Sequence, residues 1–505
     1  MQMTVTNIIE QIDSWGATEP NRIAYIAEKK YTYGQLKDWS DQLATFLSEK
    51  LIGRKPIVVY GDLEFEMLAA FLGASKAGHA YIPIEANTPN DRVELILKVA
   101  QPDLVISVEP WPEIATNCEV LNPEELKTVF KGKRTLPTFE SVKGDENYYL
   151  IFTSGTTGIP KGVQISHSNL LSFVNWTLTD FVLPENSRFL SQAPYSFDLS
   201  VFDVYPALCS GGSLVPLKKE VINDFKTLFA TLPKLALEVW VSTPSFMDIC
   251  LMEKEFNAQN IPSLTTFIFC GEELTKKTAQ SLLERFPNAH IYNTYGPTEA
   301  TVAISGVEIT PALLAQVDRL PIGYIKEDTT VTIMEEDKVL AAGEVGEIVI
   351  SGPSVSKGYL NNPEKTAQAF FWLDDKWAYR TGDAGSLPAD GLLRYEGRMD
   401  FQVKLHGYRI ELEDVDHHLN QVSLVKQATV VPKYQDHKVQ QLVAFVVANE
   451  NNFAKEFQLT KAIKAELAEG VMDYMIPQRF VYVEQLPRTA NGKIDRKGLI
   501  NEVNG

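Results

Sequence analysis

From residue 57 onward, short apolar runs alternate with longer amphipathic stretches, and this alternation limits the fold more than any other feature of the sequence. "IVVYG" is followed by "EFEMLAAFLGASKAG", then by "AYIPI", "DRVELILKVA" and "LVISV". Strand-like runs separated by helical ones are the pattern of parallel β/α layers. The pattern returns with "LEVWVSTP", "TTFIFCGEE" and "HIYNTYGP", strands that end in polar or glycine-bearing loops. Open parallel sheets bind ligands at the carboxyl ends of their strands, so these loops are the expected place for a site. Upstream, residues 7–50 read as a helix ("IIEQIDSW"), a short strand ("RIAYIAE") and a second helix ("YGQLKDWSDQLATFLSEK").

After about residue 320 the texture changes. "TTVTIMEEDKVL" and "GEVGEIVISGP" read as antiparallel strands joined by turns. From roughly residue 400, short strands ("ATVVP", "QLVAFVVA") mix with a helix ("LTKAIKAELAEG") in a small α+β unit. The joint falls in "YEGRMDFQVKLHGYRIE", near Gly397, Asp400 and Gly407. A chain of 505 residues exceeds what one hydrophobic core usually serves. The expected fold is therefore α/β: a large N-terminal domain of layered β/α sheets with a β-rich subdomain over 1–398, and a small α+β C-terminal domain over 399–505.

The charge balance, 47 basic against 65 acidic residues, gives −18. An excess of that sign opposes nucleic-acid binding and docking on an anionic membrane, and fits a well-solvated surface. Cys118, Cys209, Cys250 and Cys270 are far apart with no C-x-x-C pair, which predicts neither a disulfide framework nor a zinc site. The start, "MQMTVTNIIEQIDSW", lacks the basic and apolar regions of a secretory signal, and runs such as "LVAFVVA" are too short to insert in a bilayer. A cytoplasmic protein is expected.

One strand breaks into an unusual loop. "YLIFTSGTTGIPKGV", residues 149–163, passes from apolar residues to Thr153, Ser154, Gly155, Thr156, Thr157 and Gly158, then to Pro160, Lys161 and Gly162. Glycines after a strand let backbone N–H groups close around phosphate oxygens, and hydroxyls add donors. The spacing is not G-x-x-x-x-G-K-[ST], and G-x-G-x-x-G, H-E-x-x-H and G-x-S-x-G are all missing. Taken alone, such a loop is also compatible with a plain surface turn.

Its company is more specific. "NTYGPTEA" (293–300), "YRTGDAG" (379–385), "GRMDFQVKLHGYRIE" (397–411) and "PRTANGKIDRK" (487–497) follow in order. With the loop, these motifs resemble the adenylate-forming superfamily of acyl-CoA synthetases, luciferases and peptide-synthetase adenylation domains. Within it, "APYSFDLSVFDVYPAL" (193–208), "STPSFMDIC" (242–250) and "FIFCGEEL" (267–274) are similar to the amino-acid-activating branch. The resemblance extends, through "KGDENYYLIFTSG" and "MDYMIPQRF", to free-standing enzymes that charge a carrier protein with D-alanine for teichoic-acid alanylation.

The resemblance implies two steps: a carboxylate attacks the α-phosphorus of ATP, and a thiol then attacks the acyl-adenylate. It places the ATP phosphates on Thr153, Ser154, Gly155, Thr156, Thr157 and Gly158, with Lys161 either assisting or merely capping the loop. It gives Glu299 a magnesium ion, a metal that a single carboxylate suits because it keeps most of its waters; a carboxylate at a helix N-terminus is the bland alternative. Asn293, Thr294, Tyr295, Gly296, Pro297 and Thr298 would line the nucleotide cleft, with Tyr295 against adenine. Asp383 would accept both ribose hydroxyls, with Arg398 and Tyr395 beside it.

At the amino-acid end, Asp198 would bind the ammonium group, although Asp is also a favoured N-cap for the helix that follows. Cys270 and Val302 would wall the pocket and exclude one enantiomer. Lys493, in "NGKID", would contact both α-phosphate and substrate carboxylate, and Asp400 would be the hinge that swings "FQVKLHGYR" into the site for thioester formation. Ten residues follow "GKID", so the thiol is expected on a separate molecule, an acidic carrier protein with a phosphopantetheine arm or coenzyme A. The other readings are a ligase for another small amino acid, an acyl-CoA synthetase, or a non-catalytic nucleotide-binding module.

Overall fold

A computed structural model describes residues 4–133, 139–155, 158–488 and 494–505. Two large sheets form the bulk of the molecule. The first has six strands in the order Glu119–Leu121, Leu104–Ser107, Ile57–Tyr60, Tyr81–Ile84, Asn147–Thr153 and Lys161–Ser166. Its neighbours run parallel except for the last pair. Every residue of Ile57–Tyr60, Tyr81–Ile84 and Leu104–Ser107 is buried, because both faces are covered, and this is why those runs are apolar throughout. Helix Phe65–Lys76 is buried along its whole length against the sheet, and its last residue, Lys76, is neutralised by Asp13 and Asp41 of neighbouring helices.

The second sheet has a parallel centre: Ser213–Pro216, Arg188–Ser191, Val239–Ser242, Thr266–Phe269 and His290–Tyr295. At Ser305–Glu308 the pairing turns antiparallel, and it continues through Gly323–Ile325, Leu392–Arg398, Lys376–Ser386, Val345–Ser351 and Thr330–Glu335. The antiparallel hairpins after residue 320 are thus hydrogen-bonded continuations of the parallel sheet. Val331, Ile333, Ile348 and Ile350 belong to the same hydrophobic cluster as Ile57 and Val59. The splice needs glycine. Gly323 has φ +109°, and a Cβ there would lie 2.6 Å from the Gly306 backbone nitrogen on the adjacent strand.

Past Arg398 the chain leaves this sheet. Gln402–Leu405 and Tyr408–Glu411 form a hairpin paired only with itself. Val425–Gln435 and Lys438–Ala448 pair antiparallel, and Arg479–Tyr482 adds in parallel. Helices Leu412–Leu419 and Glu456–Leu467 cover them. Their apolar residues, among them Val403, Ile410, Val430, Leu442 and Ile463, make a core of their own. Among the described residues no helix is long and apolar enough to cross a membrane.

Candidate active site

The strand-to-loop exits of both sheets converge under the 402–411 hairpin. Asn147–Thr153 reverses and returns as Lys161–Ser166, pairing Thr153 with Lys161. Within the connection the Gly158 N–H donates to the Gly155 carbonyl at 3.0 Å. A Cβ on Gly155 would strike the Ile159 carbonyl, and Gly158 has φ +77°. Thr153 and Ser154 are buried. Thr156, Thr157 and Lys493 lie outside the described residues.

His290–Tyr295 leads into the tight segment Gly296–Val302. A Cβ on Gly296 would come within 2.5 Å of the Ala303 Cα, and Thr301 and Val302 take φ of 58° and 68°. This compression drives Glu299, in the short 3-10 helix Thr298–Ala300, fully inside, at 0% exposure. Its carboxylate accepts from Arg409 Nη1 at 2.6 and 2.8 Å and from the Tyr359 hydroxyl at 2.7 Å. Burial alone would push its pKa up; the Arg409 charge, then Lys161 and the Tyr359 hydroxyl, hold it down at about 2. A carboxylate kept ionised in the interior is fit to hold a cation.

Asp198 stands at the N-cap of helix Leu199–Ser210 but makes no capping hydrogen bond, which removes the cap explanation. Its Oδ2 instead accepts from the Thr298 hydroxyl at 2.6 Å. Burial pushes its pKa up to about 6, against the pull of the Thr298 donor and of Lys404. It faces a cavity of about 40 Å³ that Cys270, Gly296 and Val302 also line. The Cys270 thiol points at the Val302 carbonyl, 3.7 Å away, and burial raises its pKa, so it is held as a neutral wall.

Asp383 and Tyr295 meet across the sheet splice. The Tyr295 hydroxyl donates to Asp383 Oδ2 at 2.6 Å, and Arg398 Nη1 donates to Oδ1 at 2.9 Å. Arg398 also pairs with Asp400, whose carboxylate accepts the Gln402 N–H. Asn293 and Thr294 have structural duties, donating to the carbonyls of Pro321 and Phe269. Their strand nonetheless walls a cleft of about 640 Å³ together with Tyr295, Tyr395 and Arg398.

The small domain enters this site. Ser154 Oγ donates to the Arg409 carbonyl at 3.0 Å and accepts the Glu411 N–H at 3.3 Å. Lys161 Nζ lies 3.6 Å from Glu411 Oε1, and the Lys404 ammonium sits 5.8 Å over the Tyr295 ring. Tyr408 stacks on Tyr474 at 3.8 Å and lies 5.5 Å from Phe197. Lys438 ties the flank to Asp248 at 2.9 Å and to Glu272 at 3.7 Å. Lys404, Arg409 and Glu411 are therefore site residues that reading the motifs one residue at a time missed. The available signal was the alternating charge of "KLHGYRIE" itself.

Gly407 is the pivot of that insertion. Its φ is +85°, and a Cβ would collide with Thr243 and come within 3.4 Å of the Phe197 ring. Gly407→Val is expected to unseat the hairpin without unfolding either core. Hydrogen–deuterium exchange should show residues 404–411, 154–155 and 158–161 exchanging at least tenfold faster in the variant, with the sheets unchanged. Equal protection in both proteins would contradict the seating described.

Against known proteins, the chain matches the model of the AMP-binding enzyme family over residues 12–360, and that of the AMP-binding enzyme C-terminal domain over 414–493. It is 56% identical over 504 residues to the D-alanine–D-alanyl carrier protein ligase of Lacticaseibacillus rhamnosus, covering 99% of this chain and 100% of that one. It is 52% identical over 509 residues to the protein of that name from Streptococcus agalactiae serotype V, covering 99% and 100%. Its fold is that of the Vibrio cholerae adenylation domain AlmE, solved with glycyl-adenosine-5'-phosphate (TM-score 0.81, 23% identity, 100% and 98% coverage). The motifs, the layered fold and these matches agree: the chain belongs to the AMP-binding enzyme family.

Proposed function

We propose that this chain uses ATP to activate D-alanine as D-alanyl-adenylate, releasing pyrophosphate. It then passes the D-alanyl group to the phosphopantetheine thiol of a separate carrier protein, supplying D-alanine for lipoteichoic acid. One observation carries the reading: a buried carboxylate, Asp198, with no cation hydrogen-bonded to it among the described residues, faces a cavity of only about 40 Å³ inside a nucleotide-binding fold. A small ammonium-bearing substrate is what such a pocket accommodates. Full-length relatives at 50–56% identity bear the corresponding name.

In the first half-reaction a substrate carboxylate oxygen bonds to the α-phosphorus and the bond to pyrophosphate breaks. The charge that builds up needs donors and cations already in place. Ser154, Gly155 and Lys161, with Thr153, Thr156, Thr157 and Gly158, hold the departing phosphates. Asp383 receives the ribose hydroxyls, exchanging the Tyr295 hydroxyl for them. Glu299 fits magnesium, which when bound shields phosphate charge. Lys493 neutralises the oxygens that join. In the second half-reaction the hairpin is seated as described, the thiol sulfur bonds to the acyl carbon, and AMP leaves. A second cavity of about 70 Å³ shares Phe197, Asp198, Thr298 and Arg409 with the first and extends to Glu85 and Tyr474, a path for a slender arm. Chemistry that consumes ATP and a free thiol suits the cytoplasm.

Alanine offers one methyl group, worth ~1–3 kcal/mol in a pocket, so discrimination between enantiomers rests on exclusion by Cys270 and Val302. ATP–pyrophosphate exchange tests the reading directly. D-alanine should support exchange at well above the L-alanine rate, and short fatty acids should give none. Exchange driven by fatty acids would overturn it. Lys493→Ala should lose at least a hundredfold in exchange yet still transfer preformed D-alanyl-adenylate to thiol. Equal loss in both steps would reject the assignment of Lys493.

The raised pKa of Asp198 gives a second check. In the empty pocket it is neutral below about pH 6 and must shed a proton to capture an ammonium group. The KM for D-alanine should therefore be flat above that pH and rise about tenfold per pH unit below it. A KM unchanged between pH 5 and 7 would contradict this role.

A further inference from the structure

We propose that Arg92 and Glu85 form an amide clamp in the second cavity, selecting an acceptor whose thiol is borne on a thin chain of secondary amides. Arg92 donates to an amide carbonyl and Glu85 accepts an amide N–H, so thiols without amides are poor acceptors. This rests on the reading of that cavity as the path of the acceptor's arm.

Arg92 has no structural duty that explains it. It is 8% exposed and lines the cavity of about 70 Å³. Its guanidinium makes no hydrogen bond or ion pair among the described residues, and its charge acts on Asp414 only through space. It also stands in the first turn of helix Asn90–Ala100, where Pro89 supplies no side-chain cap and the dipole opposes a cation. A buried guanidinium carries five N–H donors, and leaving them without acceptors is costly. A ligand that brings an acceptor removes that cost.

Glu85 lines the same cavity and makes no ion pair with Arg92. With the Asn87 amide turned nitrogen-first toward it, the carboxylate oxygens lie 3.1 and 3.2 Å from that nitrogen, and the Asn87 oxygen accepts from Lys219. Burial pushes the Glu85 pKa up to about 7, with Lys219 pulling against it. Tyr474 stands in the field of both charges: burial raises its pKa, Arg92 opposes the rise and Glu85 adds to it. Tyr474 stacks on Tyr408, and this flat pair walls the cavity.

Opposite charges that share a narrow cavity without pairing call for a ligand that offers both an acceptor and a donor. A carboxylate or an ammonium group would satisfy one charge and repel the other. A secondary amide presents both groups in one plane and has no net charge, and its planarity suits the tyrosine wall. The order along the cavity agrees. Phe197 and Asp198 form the inner end shared with the amino-acid pocket, whereas Glu85 lies next to the exposed Asn87 and Lys219. The amides thus fall between the thiol and the molecule that bears it.

The test compares acceptors on the full-length protein. D-Alanyl-adenylate, formed from ATP and D-alanine, is offered pantetheine, which has amides, or 2-mercaptoethanol, which has none. The wild-type protein should favour pantetheine in kcat/KM by roughly a hundredfold. Arg92→Leu and Glu85→Leu should each cut that ratio about tenfold by raising the KM for pantetheine, and Arg92→Lys should restore part of it. With the wild-type protein, the thiol-free analogue N-ethylpantothenamide should compete with pantetheine in the transfer step. An unchanged ratio in both leucine variants, equal loss on both acceptors, or no competition by the thiol-free analogue overturns the proposal. A wild-type protein that exchanges pyrophosphate yet forms no thioester with either acceptor overturns instead the reading of the cavity on which it rests.

Discussion

A carboxylate with no access to water needs a cation, and Glu299 is placed where this requirement cannot be relaxed. The cost of an unpaired charge in the interior runs to several kcal/mol, far more than a surface contact contributes. The compressed turn from Gly296 to Val302 forces Glu299 inward, and the Tyr359 hydroxyl satisfies only part of it. A positive charge has to come from elsewhere. In this structure it comes from Arg409, 110 residues away, on a unit with its own hydrophobic core.

The small domain's position follows from that demand. Tyr408 lies against Phe197 of the large domain, and the other contacts described between the two are charged or hydrogen-bonded: Arg409 to Glu299, Glu411 to Lys161, Ser154 to the hairpin backbone, Lys438 to Asp248. Such an interface can open without exposing a core, which suits the two positions that the proposed function asks of this domain. Its apolar residues are clustered among themselves.

The layers of the fold were legible in the sequence because strands buried on both faces leave uninterrupted apolar runs, as at "IVVYG" and "LVISV". The hairpins after residue 320 were legible as strands but not as an extension of the parallel sheet, since the splice depends on two facing glycines, Gly306 and Gly323. Within the site, the motifs marked Asp383, Tyr295 and Glu299, yet not the pairing of Tyr295 with Asp383 across 88 residues. Composition could not decide between cap and ligand at Asp198. The backbone geometry removes the cap alternative, because the residue sits at the cap position with its carboxylate turned away toward Thr298. Arg409 and Glu411 were missed individually because their meaning lies in partners more than a hundred positions distant.

The most direct test is a crystal structure with magnesium and a non-hydrolysable ATP analogue bound. The account predicts a metal ion on Glu299, the triphosphate against Ser154, Gly155 and Lys161, and Arg409 and Glu411 withdrawn from all of them. A structure in which the nucleotide and metal are bound while Arg409 still pairs with Glu299 would contradict it.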